Sequence, residues 1–298
     1  MIISDFKENI TLGGGPVLVS QDFYHRKQCS VLGCQVVYFN QKFNKIKTVN
    51  VDFFSDIISK DAFFVKDCLR RLMKNLYHLC PGLAEVKRIN FWTDVGQHFR
   101  CEEVAHFFLV DVPKEFHVSI NWDTFVECHG KSTVDSHFGV LSQWVEDITD
   151  HIKVNTVQHL VKTLEEKVRK TNKNRSAANK TIYHFFIYEQ DKRPETFKTL
   201  SIQNIKRYYH FETRRKDDEQ RVVKMKVTSE SPYIKEVSFT KKIKVKENKE
   251  RRVTKYSSKC AEESSQTKVQ KMGVSQVGYG PHTENRLIWQ KLQLPKGL

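Results

Sequence analysis

The sequence predicts an α/β fold built on a mixed sheet, followed by a basic region of different character. Two observations predict it. Three stretches rich in β-branched and aromatic residues follow one another within the first 55 residues, and the first is closed by Gly13-Gly14-Gly15-Pro16. After them, segments with helical spacing of apolar residues alternate with short apolar runs up to about residue 150.

In chain order, residues 1–12 read as the first strand, Cys34 to Phe39 as the second and Lys45 to Phe54 as the third. A helix follows, because Phe64, Cys68, Leu69, Leu72, Leu76 and Leu79 recur at three- and four-residue intervals, and Cys80-Pro81-Gly82 stops it. Arg88 to Thr93 reads as a short buried strand, 101–112 as a helix and His117 to Val126 as a fifth strand. A last strong helix opens at Ser132, with Val134, Phe138, Leu141, Trp144, Val145 and Ile148 on one stripe. Three adjacent antiparallel strands followed by alternating helix and strand is the ribonuclease H-like order, and residues 1–150 are expected to form such a core.

Beyond residue 150 the pattern changes. A basic helix is expected over 154–175, a strand over Thr181 to Tyr188, and strand-like stretches over 221–228 and 233–245. Residues 151–246 therefore read as a basic, aromatic-rich region, a candidate small α+β module, and 247–298 as a mostly disordered tail. Charge divides the same way. Residues 1–150 carry 16 Lys/Arg against 19 Asp/Glu, whereas 151–260 carry 29 against 13. A near-neutral core with a strongly basic follower suggests chemistry in one half and polyanion contact in the other, against the plainer reading of a solvated basic tail.

No run approaches the roughly 20 apolar residues of a membrane span, and the acid at position 5 argues against a secretory signal. A soluble, intracellular chain is expected. The seven cysteines are odd in number and widely spaced. Cys29-x4-Cys34 with His25 lacks the second pair a zinc site needs, so buried free thiols are the better reading.

Three acids stand where metal-dependent phosphodiester chemistry needs them. Asp5 lies in the first strand, Asp94 directly follows the fourth, and Asp135 is in the first turn of the last core helix. Hard oxygen ligands from neighbouring elements suit two Mg²⁺ ions, one activating the attacking oxygen and the other the leaving oxygen. Each acid alone has an ordinary reading: a surface residue near a terminus, a turn residue before Gly96, and the end of the capping box Ser132-x-x-Asp135. Gly130-Lys131-Ser132 is not a P-loop, because Phe125 stands where the first glycine belongs. The loop's N–H groups with Lys131 and His129 instead offer a phosphate contact at a helix start.

Three blocks carry a family resemblance: Asp5-Phe6-x-Glu8-Asn9, then Trp92-Thr93-Asp94 with Gln97-x-Phe99-Arg100, then Cys128-His129-Gly130-Lys131-Ser132-x-x-Asp135. In this order they resemble the transposase-like proteins of eukaryotic cut-and-paste DNA transposons, over about residues 1–150. The resemblance implies an Asp/Asp/Asp-or-Glu core acting on DNA with Mg²⁺ or Mn²⁺. Asp5 and Asp94 would be the first two metal ligands and Asp135 the third, with Glu127 as its alternate. It also implies nuclear localisation, DNA as partner, a homo-oligomer as a further option, and an N-terminally truncated or domesticated copy. Ser136-His137-Phe138 departs from the glycine-rich continuation of the family, which bears on activity more than on fold.

DNA contact is expected from Arg100, His129 and Lys131, and from Lys206, Arg207, Arg214 and Arg215 in the basic half. There the interleaved Tyr208, Tyr209, His210 and Phe211 read equally well as base-stacking rings or as the core of a small domain. Lys241 to Lys246 and Lys249 to Arg252 have the composition of a nuclear localisation signal.

Overall fold

Alternation of side chains across a pleat decides the first three strands. A computed structural model describes residues 1–13, 27–125, 133–176, 180–190, 193–215, 221–228, 230–233, 235–238 and 243–247. In it β1 (Ile2–Thr11), β2 (Gln28–Asn40) and β3 (Lys45–Ser55) pair antiparallel. The register sets Asp5 opposite Gly33 and Gly33 opposite Asp52. β4 (Arg88–Thr93) lies parallel to β1 on its other side, with Ser4 beside Thr93, and β5 (Ser119–Thr124) lies parallel to β4. The fold is α/β with a mixed sheet, as the sequence predicts.

Even-numbered residues of β2 and of β1 up to Phe6, where a register shift follows Lys7, and odd-numbered residues of β3 and β4 face one layer of helices. Ile2, Leu32, Cys34, Val51, Phe53 and Phe91 meet α1 (Ala62–Lys74), α2 (Leu76–Leu79), α3 (Glu102–His106) and α4 (Val112–Glu115) there, in the largest apolar cluster. Asp61 caps α1 by accepting from the Phe64 N–H at 2.9 Å. The single helix expected up to Leu79 breaks at Asn75, and the helix expected over 101–112 runs on to Glu115 through a π-helical turn at Phe107–Asp111. The opposite face is covered by α5 (Thr133–Thr149) and α6 (Val157–Asn172), which pack Leu141, Ile148, Leu160 and Leu164 onto Ile10, Val31 and Phe54.

The sheet does not stop at residue 150. β6 (Ile182–Ile187) adds in parallel to β3, and β8 (His210–Arg215) adds antiparallel to β5. β9 (Arg221–Lys226) and β10 (Lys235–Ser238) extend that flank, giving the order β10-β9-β8-β5-β4-β1-β2-β3-β6 among the described residues. Residues 151–246, expected as a region apart, thus contribute four strands to the sheet of the first 150. The physical reason is that β3 and β5 would otherwise present unpaired edges. β7 (Thr196–Leu200) and β11 (Ile243–Glu247) form a separate two-stranded ribbon. The tail expected to be disordered lies, past Glu247, outside the described residues.

Cys29, Cys34, Cys68 and Cys80 are buried free thiols, and burial pushes Cys29 and Cys34 up to about 12. No helix among the described residues is long and apolar enough to cross a membrane.

Candidate active site

Three elements carry the expected acids into one electrostatic neighbourhood. Asp5 stands on β1 on the face covered by α5, in the same parity as Ile3, which packs on Val134 and Phe138. Its Oδ1 accepts from the Phe6 N–H at 2.7 Å. Asp94 leaves the end of the neighbouring β4, and its Oδ2 accepts from the Gly96 N–H at 3.1 Å, which fixes the turn. Asp135 lies in the first turn of α5. The Asp5 carboxyl is pushed up to about 7, first by burial, then by the negative charges of Asp94 and Asp135, against the pull of the Phe6 N–H and Lys60. Acids from three distant parts of the chain therefore share one electrostatic neighbourhood.

Phe6 organises what surrounds them. Its ring stacks on Phe64 at 5.4 Å between centroids, meets the edge of His98 at 4.8 Å, and has the Lys60 ammonium 5.5 Å from its centre. Lys60 Nζ donates to the Lys7 carbonyl at 2.8 Å. His98 folds back over Gly96, where an added Cβ would lie 2.5 Å from the imidazole and 3.0 Å from Asp94 Oδ2. Burial lowers the His98 pKa, opposed by the attraction of Asp94, and its Nε2 is buried without a hydrogen-bond partner among the described residues.

The seat of α5 is set one turn further on. His137 Nε2 lies 2.8 and 2.9 Å from the two oxygens of the fully buried Asp52. Phe138 covers Gly33 so closely that a Cβ there would come within 2.3 Å of the ring. Gly33 is the residue between Asp5 and Asp52 in the cross-strand row, so its missing side chain lets the helix approach the sheet beside the acid. Sequence reasoning singled out Asp5, Asp94 and Asp135 but missed Lys60, His98, Asp52 and His137. The register of β1, β2 and β3 brings Asp52 into the row of Asp5, His137 follows Asp135 on α5, and Lys60 and His98 come in from the loops after β3 and β4.

Other expected residues fare differently. Glu127, His129 and Lys131 lie outside the described residues. Arg100 is corrected: it is 5% exposed, its Nη2 donates to the carbonyls of Lys206 and, at 2.8 Å, Tyr208, and its guanidinium stacks 4.3 Å from the Tyr209 ring. It ties the approach to β8 onto the core and offers nothing to a DNA backbone. Lys206 and Arg207 are exposed on a 3-10 turn, Ile205–Arg207. Arg214 and Arg215 end β8, opposite Val222 and Arg221. Of the two readings of the aromatics, the core one holds for Tyr208, His210 and Phe211, which are buried, with Phe211 stacked on Trp122 at 4.8 Å.

The donors on offer at the acids are carboxylate oxygens, which fit a hard divalent cation. A buried carboxyl raised by two neighbouring carboxylates is also one that a cation would ionise. Among the described residues, no group of three or more His, Cys, Asp or Glu is already drawn close enough to hold an ion.

No curated protein and no solved structure matches the chain. One family model does, over residues 1–229, described as a domain of unknown function (DUF8701). The match passes residue 150 and takes in β6, β8 and β9, the strands that flank the central five on both sides. On that extent, the chain belongs to the DUF8701 family.

Proposed function

We propose that the chain is a ribonuclease H-like core of transposase type that cuts and joins DNA through Asp5, Asp94 and Asp135 with Mg²⁺ or Mn²⁺. The observation that supports this most is where the acids fall on the strand order. The central five strands run β5-β4-β1-β2-β3, antiparallel among the first three and parallel from β1 to β5. Asp5 is on the middle strand, Asp94 ends its parallel neighbour, and Asp135 is on the helix that follows β5.

Asp5 and Asp94, on adjacent strands, would hold the ion with Asp135 as third ligand and Glu127 as its alternate. Bound there, a divalent cation activates the attacking oxygen and stabilises the leaving one. The chain's own residues prepare the place. The Gly96 N–H holds the Asp94 carboxylate, the Phe6 N–H holds that of Asp5, and the His137–Asp52 pair fixes the helix that carries Asp135. Exposed Lys206 and Arg207, with the basic excess after residue 150, would neutralise DNA phosphates. Such an activity belongs to recombination of a transposable element in the nucleus.

A second reading, a transposase-derived DNA- or protein-binding protein without catalysis, is favoured by one observation: three ligands are not already assembled among the described residues. Cleavage and strand transfer on an end-labelled duplex, with Mg²⁺, Mn²⁺ or EDTA, separates the two. Metal-dependent products lost in Asp94→Asn support the enzyme. Salt-sensitive binding without products in either protein supports the binding module.

A further inference from the structure

Lys60 and His98 belong to no motif and come from loops after different strands, yet both rest on the ring of Phe6, the β1 residue after Asp5 on the α1-covered face, and His98 reaches over Gly96 to the Asp94 turn. Lys60 feels the negative charges of Asp5 and Glu8, and His98 those of Asp94 together with the positive charge of Lys60. This is a cation and an imidazole set against carboxylates without a salt bridge to any of them. The Lys60 ammonium donates to one backbone carbonyl, leaving further N–H groups for another acceptor. His98 Nε2 is shielded from water and has no hydrogen-bond partner among the described residues. Such an atom is open to a hydrogen bond from a group that enters the site, be it a water, an ion or a ligand. Gly96 makes the arrangement possible, since any side chain there would push the imidazole off the Asp94 turn.

Resting on the acid-site reading above, we propose that Lys60 and His98 form the substrate-binding wall of the site and take the non-bridging oxygens of a phosphodiester. Acids that gather cations hold one side of a phosphate, and an ammonium and an imidazole at the same place supply donors to the other. Arg100, which sequence reasoning assigned to DNA, is turned away into the core, and Lys60 supplies the positive charge beside the acids in its place.

The test uses the full chain and two probes. Mn²⁺ binding is measured by calorimetry, with Asp94→Asn as control. Binding of a fluorescein-labelled 20-base-pair duplex is measured by anisotropy in Ca²⁺ over a salt series. In Lys60→Met, DNA affinity is expected to fall about tenfold and the salt slope by about one, with Mn²⁺ binding kept and Lys60→Arg restoring affinity. His98→Gln is expected to weaken DNA binding without changing the salt slope; a thermal melt confirms that each variant is folded. Wild type that binds Mn²⁺ through Asp94, with Lys60→Met unchanged in DNA affinity and slope, overturns the proposal alone. Absence of Mn²⁺ binding that depends on Asp94 overturns the acid-site reading and the proposal with it.

Discussion

Asp5 is held where ionisation is opposed by burial and by two neighbouring acids, and that has a consequence for stability. Its folded pKa of about 7 lies above the ordinary 3.8, so between those values the folded state keeps a proton that the unfolded state releases. The contribution of this group is most favourable below pH 4, declines as pH rises to about 7, and is level beyond. Asp5→Asn should therefore stabilise the protein by about 2–4 kcal/mol at pH 8 and hardly at all at pH 4, read from urea unfolding at the two pH values. Arg100 makes the opposite case. Arg100→Met leaves the carbonyls of Lys206 and Tyr208 without their donor and should cost about 2–3 kcal/mol, while the salt slope of DNA binding stays as in wild type. At this scale the acids were legible, because carboxylates at a strand end and a helix start stand out in sequence. The fate of Arg100 was not, because its partners lie more than a hundred residues away.

The decisive element is α5, because its approach to the sheet places Asp135. Two contacts set it, Phe138 on Gly33 and His137 on Asp52. Gly33→Ala would force the Phe138 ring away, with an expected loss of about 1–3 kcal/mol. The same change should weaken metal binding through Asp135, whereas Ala at Gly139, where a Cβ meets nothing within 4 Å, should do neither. Calorimetric melts and Mn²⁺ titrations of the two variants provide the comparison. The helix itself was readable from its apolar stripe. Its polar anchor was not, since Ser136-His137-Phe138 looks like a departure from a family pattern until the register brings Asp52 beneath it.

For the molecule as a whole, the sheet is wider than the sequence suggested. The five central strands were legible from alternation and turn residues, although β2 starts at Gln28, well before the stretch expected from Cys34. β6, β9 and β10 were legible as strands too; that they join the central sheet was not, because a Lys-rich run such as β9 looks solvated until one face is seen to be buried through Val223 and Met225. A fragment ending at Asp150 would expose both edges of the core, β3 and β5, and lose the Arg100 tie. It should aggregate or stay unfolded, whereas one ending at Lys249 should melt cooperatively near the temperature of the full chain. Circular dichroism on the two fragments decides it.

The proposed function requires a divalent cation between Asp5 on β1 and Asp94 just past the end of β4. The most direct measurement is a crystal structure with Mn²⁺, using its anomalous scattering to locate the ion. A peak bound by both carboxylates is expected, with Asp135 or Glu127 completing the ligands and no peak in Asp94→Asn. Well-ordered crystals at millimolar Mn²⁺ with no peak at these acids, or with the ion elsewhere, would contradict it.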